Sequence, residues 1–382
     1  MIHDYAGAVR KISWFAYLLT RLRTFRNRTS NHSNMPTILD NPKAISLHDT
    51  KDMLGAVERF QEFMSIQVQM RPPSVNKPER SVFRNIVLMG MGGSASAGDL
   101  VLDWLVNRIS VPMMVHRDPV LPRFVRSNTL FVAISYSGET RETLAAFREA
   151  RKRGSSLVAI GTGGKLQKLS EELEVPFLPV HVAPAPRAAL GQMVVATSIA
   201  LHSCGIIQDP STEIDLASRE LRRVSHQIQR QVPFSENPAK RLAASLKGRL
   251  PVIYTFRRMA SVARRFKNQL AENSKMIAKY GLLPEAGHNE VEAWFKPRLP
   301  LAPIFVRDYS ESEFERAMLK SFRSTITKAS RIKPAQVRLK ARTRLGGLLL
   351  PVLYLDFVSV YLAFLKGIDP TDTPWIRLYR KG

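Results

Sequence analysis

From Asn85 the chain alternates short, nearly continuous apolar runs with longer stretches of mixed polarity. "NIVLMG", "VPMMVH", "TLFVAIS", "SLVAIG" and "PFLPVHV" are strand candidates, while "SASAGDLVLDWLVNR" and "TRETLAAFREARKRG" read as helices between them. Apolar strands separated by helices predict a parallel sheet covered on both faces. The pattern restarts near Gly248 with "GRLPVIYTF", followed by "LAPIFVRD" and "AQVRLKAR" with long helical segments between. The stretch from Gln208 to Lys247 is polar and helix-prone, so the domain crossover is placed within it. The expected fold class is α/β with two domains, each a mainly parallel sheet flanked by helices. Residues 35–230 would hold a helical segment and the first domain, and residues 231–382 the second with a C-terminal helix and tail.

One apolar run is longer than the rest, Leu345 to Leu365, bounded by Arg344 and Lys366. Its length suits a membrane span of about 20 residues. Asp356 at its midpoint would cost roughly 3 kcal/mol there, and Pro351 interrupts it. A buried helix of a soluble domain is the expected state. The N-terminal run "ISWFAYLL" is too short to span, and its basic residues follow it, the reverse of a signal peptide. Residues 1–34 are unlike the rest of the chain: Arg10, Lys11, Arg21, Arg23, Arg26 and Arg28 stand against Asp4, and "NRTSNHSNM" reads as a linker. Two accounts remain open, a start codon placed upstream of the true one or a basic arm for nucleic acid or membrane.

Composition narrows the class. Apolar residues at 45% and charged ones at 23% describe a globular chain. A single cysteine, Cys204, excludes an internal disulfide and cysteine-rich metal sites, which fits a reducing compartment. The 57 Lys and Arg against 32 Asp and Glu leave a net charge of +25. Such a chain attracts phosphorylated metabolites, nucleic acid or anionic surfaces.

Two turns carry the chemistry. "MGMGGSASAGD" follows the first strand and opens a helix, with Gly92 and Gly93 for a tight turn and Ser94 expected as N-cap. The free N–H groups of that helix start favour an anion. A dinucleotide fingerprint is the rival, but the third glycine is missing. "ISYSGET" also follows an apolar strand and opens a helix, with Ser135, Ser137 and Thr140 around Gly138. In a parallel sheet both turns emerge at the same strand edge. Together they make a phosphate cradle that needs neither a metal nor a P-loop lysine.

A Gly-Gly-Ser turn followed by Ser-x-Ser-Gly-Glu-Thr resembles the SIS (sugar isomerase) domain, which binds phosphosugars. "APRAALGQM", "LAENSKM", "PEAGHNEVEAW" and "LDFVSVYLAFLKGIDPT" resemble the bifunctional phosphoglucose/phosphomannose isomerase family, from about Met35 to the C-terminus. The resemblance implies two SIS domains with Gly92, Gly93, Ser94, Ser135, Ser137 and Thr140 binding the substrate phosphate. It makes Glu272 the base that moves a proton between C2 and C1 of an open-chain sugar. It makes His288, from the neighbouring subunit, the group that assists ring opening, with Glu290 as a candidate to orient that ring. Arg187, an unlikely place for a permanent cation on stability grounds, would stabilise the enediolate. The family also places a threonine and a basic residue near the C-terminus, here Thr373 and Arg380, with Lys381 one position beyond.

The residues alone leave simpler accounts in view: Glu272 with Lys275 as a solvated ion pair, His288 as an ordinary loop histidine, Thr373 as an N-cap before Pro374. The reading is a cytoplasmic, homodimeric aldose–ketose isomerase acting on glucose 6-phosphate or mannose 6-phosphate. No redox cofactor, catalytic metal or membrane is implied, and nucleic acid is not the expected partner. The alternatives are an SIS protein acting on another sugar phosphate and a phosphosugar-sensing, nucleic-acid-binding regulator.

Overall fold

A computed structural model describes residues 36–68 and 83–380. The N-terminal basic segment and Lys381 lie outside the described residues. Among the described residues four short helices come first: α1 (Pro36–Leu39), α2 (Pro42–Ser46), α3 (Met53–Glu58) and α4 (Phe60–Val68). The first sheet then forms from β1 (Asn85–Met89), β2 (Met113–His116), β3 (Thr129–Ile134), β4 (Ser156–Gly161) and β5 (Phe177–Pro179). Its order is β2-β1-β3-β4-β5 and every pairing is parallel, with Val87 opposite Phe131 and Phe131 opposite Leu157. β3 is buried along its whole length, which is why its sequence lacks a polar alternation.

The crossovers of this sheet include α5 (Gly92–Leu105), α6 (Arg141–Lys152) and α7 (Gly164–Glu172), and α8 (Leu190–Ser203) follows it. α9 (Ser211–Ile228) and α10 (Pro238–Leu246) fill the region between the sheets. The second sheet has β6 (Leu250–Phe256), β7 (Lys279–Leu283), β8 (Leu301–Arg307) and β9 (Ala335–Arg338) in the order β7-β6-β8-β9, again all parallel. Its helices are α11 (Ala260–Glu272), α12 (Glu313–Ser330), α13 (Arg344–Leu365) and α14 (Pro374–Tyr379). β7 has no counterpart among the sequence-predicted strands.

The long apolar run is α13, and it is buried throughout. It packs on α9, α10 and α11, so the largest apolar cluster runs continuously through residues of both sheets' layers. Truncating one of its buried leucines to alanine would cost about 2–5 kcal/mol. Pro351 lies inside the helix without ending it. Asp356 is tolerated because Arg265 from α11 meets it with two hydrogen bonds, Nε to Oδ1 at 3.1 Å and Nη2 to Oδ2 at 2.5 Å. Gln269, one turn along α11, donates a third at 3.1 Å. Burial pushes the Asp356 carboxyl up, with Arg265 the main influence against it. Losing one partner of such a pair costs about 3–5 kcal/mol.

Candidate active site

Two turns and one seam converge. α5 starts at Gly92, with Met91 as an N-cap that makes no side-chain capping bond. Ser94 is therefore not the N-cap. The two glycines enter the helix themselves, and Ser94 becomes a third-position residue whose buried hydroxyl accepts from Tyr136 N at 3.1 Å. That bond ties the first turn to the second. In the second turn Ser135 Oγ donates to Thr140 Oγ1 at 3.1 Å, and the exposed Ser137 Oγ accepts from Glu139 N at 3.2 Å. Thr140 is the N-cap of α6 but uses no side-chain capping bond. Both helix starts thus lack a side-chain cap, and uncapped first-turn N–H groups favour an anion.

The backbone of these turns has little freedom to vary. Gly138 has φ +67°, and a Cβ there would lie 1.8 Å from the Gly163 carbonyl oxygen. Gly93 faces the other way: a Cβ would stand 3.3 Å from the Pro186 carbonyl and 3.4 Å from Arg187 Cα. The phosphate-type turn therefore abuts the segment that carries Arg187.

Arg187 lies in the 3₁₀ turn Pro186–Ala189 that leads into α8, and its side chain is only 5% exposed. Its guanidinium is held on three sides. Nε donates to Asn273 Oδ1 at 2.7 Å, Nη2 donates to the carbonyls of Pro370 at 2.6 Å and Thr371 at 3.2 Å, and Nη1 reaches Glu272 Oε2 at 3.2 Å. Burial pulls the Arg187 guanidinium below its ordinary value, with the Glu272 carboxylate the strongest influence against that shift. Arg265 Nη2 also donates to the Arg187 carbonyl at 3.0 Å. Glu272, at the last residue of α11, keeps its side chain 27% exposed. It makes no ion pair with Lys275: that ammonium turns to the carbonyls of Glu272 and Asp369, at 2.7 and 3.0 Å. The site is thus a carboxylate with one open side, beside a guanidinium that cannot swing away.

The remaining sequence-predicted residues make no described bond to Arg187 or Glu272, although Thr373 follows the Pro370–Thr371 carbonyls by two positions. His288 follows the 3₁₀ turn Glu285–Gly287 and is exposed. Glu290 makes no described hydrogen bond to its ring, and its Oε2 pairs with Lys279 Nζ at 3.0 Å; Lys279 opens β7, the strand that the apolar pattern did not predict. Thr373 is the N-cap of α14 with Pro374 behind it, yet its side chain makes no capping bond. Arg380 is exposed at the end of α14. Asn273, Arg265, Asp356 and Thr371 were missed as site residues. The signal available was a run of polar residues, Arg265, Gln269, Glu272 and Asn273, on one face of a helix whose neighbours are apolar. Thr371 also carries a buried hydroxyl without a hydrogen-bond partner, beside the carbonyl that receives Arg187.

Comparison with known proteins identifies the family. The family model described as the bacterial phospho-glucose isomerase C-terminal SIS domain matches residues 235–382, and the SIS domain matches residues 82–176. A bifunctional phosphoglucose/phosphomannose isomerase from Caldicellulosiruptor bescii is 32% identical over 77% of this chain and 88% of the relative. The chain belongs to the bifunctional phosphoglucose/phosphomannose isomerase family. The relative of the same name from Aquifex aeolicus is 32% identical, again over 77% of this chain and 88% of its own length. Among solved structures, the C-terminal domain of glucosamine-fructose-6-phosphate aminotransferase from Francisella tularensis superposes with a TM-score of 0.64. It has 18% identity and covers 84% of this chain and 98% of that one. At that identity it speaks for the two-SIS fold, in which this isomerase family's turns and seam are set.

Proposed function

We propose that this chain interconverts glucose 6-phosphate and mannose 6-phosphate with fructose 6-phosphate through a cis-enediol. The observation that carries the reading is the contact of Arg187 Nη1 with Glu272 Oε2 at 3.2 Å, from a residue whose backbone abuts Gly93. The substrate phosphate would bind across Gly92, Gly93, Ser94, Ser135, Ser137 and Thr140. Ser94 and Ser135 have buried hydroxyls already engaged with the turns, so they would shape the cradle, leaving Ser137, Thr140 and the N–H groups to touch phosphate.

His288 would open the sugar ring from the neighbouring subunit of a homodimer, by proton transfer to the ring oxygen. Its exposure suits a residue that serves a site outside its own fold. Glu272 then takes the C2 proton, the electron pair forms the C1–C2 double bond, and the C1 carbonyl oxygen becomes an enediolate facing Arg187. Passing the O2 proton to O1 and returning the carbon-bound proton to C1 then leaves the carbonyl at C2 and yields the ketose. A general base contributes about 10²–10⁴-fold, and a fixed donor at the oxyanion about 10²–10³-fold. Thr373 would leave room for the enediol to rotate about C2–C3, so that one base serves both aldoses. Arg380 would supply the C-terminal cation, and the enzyme would work in the cytoplasm. A coupled assay of the purified protein on both aldose phosphates tests this: turnover of both is expected, and turnover of neither would overturn it.

A further inference from the structure

We propose that Asn273, oriented by Ser359, is a positioning residue that fixes the one free edge of Arg187 against the reacting sugar. The proposal rests on the isomerase reading and adds to it the device that aims the arginine.

A guanidinium has five N–H donors in a rigid plane. In this chain four directions are described: Nε to Asn273 Oδ1, Nη2 to the carbonyls of Pro370 and Thr371, and Nη1 to Glu272. The donor left over among the described residues is the second N–H of Nη1, on the edge that Glu272 shares. Glu272 is also the member of this group with an open side. The enediolate oxygen therefore meets a donor whose direction is set before substrate arrives, the condition under which such donors lower a barrier most.

Asn273 sets that direction only if its amide cannot turn over. A flipped amide would present Nδ2 to Arg187 Nε, donor against donor. The structure prevents this with a directional chain: Asn273 Nδ2 donates to Ser359 Oγ at 2.9 Å, and Ser359 Oγ donates its own proton to the Asp356 carbonyl at 2.7 Å. The serine hydroxyl can then only accept from the amide, so Oδ1 must face Arg187. Asn273 and Ser359 are both wholly buried, and Asp356 is anchored to Arg265, which also holds the Arg187 carbonyl. Backbone and side chain of Arg187 are thus referred to the same pair of helices, α11 and α13.

A structural role alone would weaken folding and binding together. A positioning role predicts a split, because a misplacement of about 1 Å near the chemistry can cost roughly 10²-fold in rate. The test uses the full chain, the coupled assay on glucose 6-phosphate, and two inhibitors. Sorbitol 6-phosphate carries the phosphate and hydroxyls without an enediolate. A phosphorylated hydroxamate one carbon shorter presents a planar, anionic head in its place. For Asn273→Ala the expected result is a fall of about 10²-fold in kcat and in hydroxamate affinity, at near-constant KM and sorbitol 6-phosphate affinity. Equal loss for both inhibitors, or an unchanged kcat, overturns the proposal. Should Asn273→Ala fail to fold, Ser359→Ala carries the test: the same split at roughly tenfold supports the amide lock, and full kcat in the folded variant overturns it. An inactive wild-type chain overturns the isomerase reading and this proposal with it. An active wild type with a fully active Asn273→Ala overturns the positioning role alone.

Discussion

The two sheets share a parallel architecture but end their strands differently. After β1 and β3 the chain turns through glycines and hydroxyls, and neither following helix has a side-chain cap. After β6 and β8 it turns through Arg257, Arg258 and Asp308 instead. Arg258 Nε and Arg344 Nη1 both bond Asp308 Oδ2 at 2.6 Å, and Arg257 Nη1 bonds Asp103 Oδ1 at 2.7 Å. Asp103 belongs to α5 and also accepts from Ser261 N at 2.7 Å, so these charges clamp the first layer to the second. The same strand edge carries two helix starts without side-chain caps in one sheet and an internally neutralised joint in the other. Topology decides where a ligand could bind; the side chains at the turn decide whether that edge stays open.

Four experiments bear on this contrast. The largest expected effect is on chemistry at the seam: Glu272→Gln should lower kcat by about 10²–10⁴-fold with little change in KM, read by steady-state kinetics. Next comes the joint. Asp308→Ala leaves Arg258 and Arg344 facing each other, and denaturant unfolding should show a loss of about 3 kcal/mol, while the KM of the folded protein stays put. A raised KM would mean the second sheet's edge binds phosphate after all. Burial raises the Asp308 carboxyl, but the Ser310 N–H and the two arginines outweigh it and leave it below its ordinary value of 3.8. Its stabilisation is therefore present above that value and lost as pH falls through the depressed one, an acid sensitivity that Asp308→Asn should remove.

The open edge is tested by Ser137→Ala combined with Thr140→Ala. KM should rise roughly 10²-fold, since hydrogen bonds to a charged group are worth about 1.5–3 kcal/mol each and act in ground and transition states alike. An unchanged KM would take these hydroxyls out of the site. The smallest effect is one of selectivity: Thr373→Gln should reduce mannose 6-phosphate turnover about tenfold more than glucose 6-phosphate turnover. Equal loss on both would make Thr373 only a helix start.

The open edge was legible in the sequence because it is local. Each turn spans a few residues after an apolar run, and glycine with hydroxyls is its own signature. The seam is assembled from residues 85 and 91 positions apart, Arg187 with Glu272 and Arg265 with Asp356, and no periodicity pairs them. Asp356 stood out as a carboxylate in an apolar helix, but adjacent Arg264 and Arg265 gave no means of choosing its partner. β7 escaped notice because it starts with exposed Lys279 and is only half-buried at Tyr280 and Leu282, so it is no continuous apolar run. The same gap hid the pairing of Glu290 with Lys279. Ser94 was misread as a cap because nothing in "GGS" says that the glycines themselves would join the helix.

Hydrogen exchange at C2 tests the central claim most directly. Saturating glucose 6-phosphate in heavy water, followed by proton NMR, reports removal of the C2 proton without requiring release of product. The wild-type chain should replace the C2 proton with solvent deuterium, and Glu272→Gln should bind the substrate with the C2 proton retained. Exchange at the wild-type rate in Glu272→Gln would contradict the assignment of the base, and with it the division between an edge that binds and a seam that reacts.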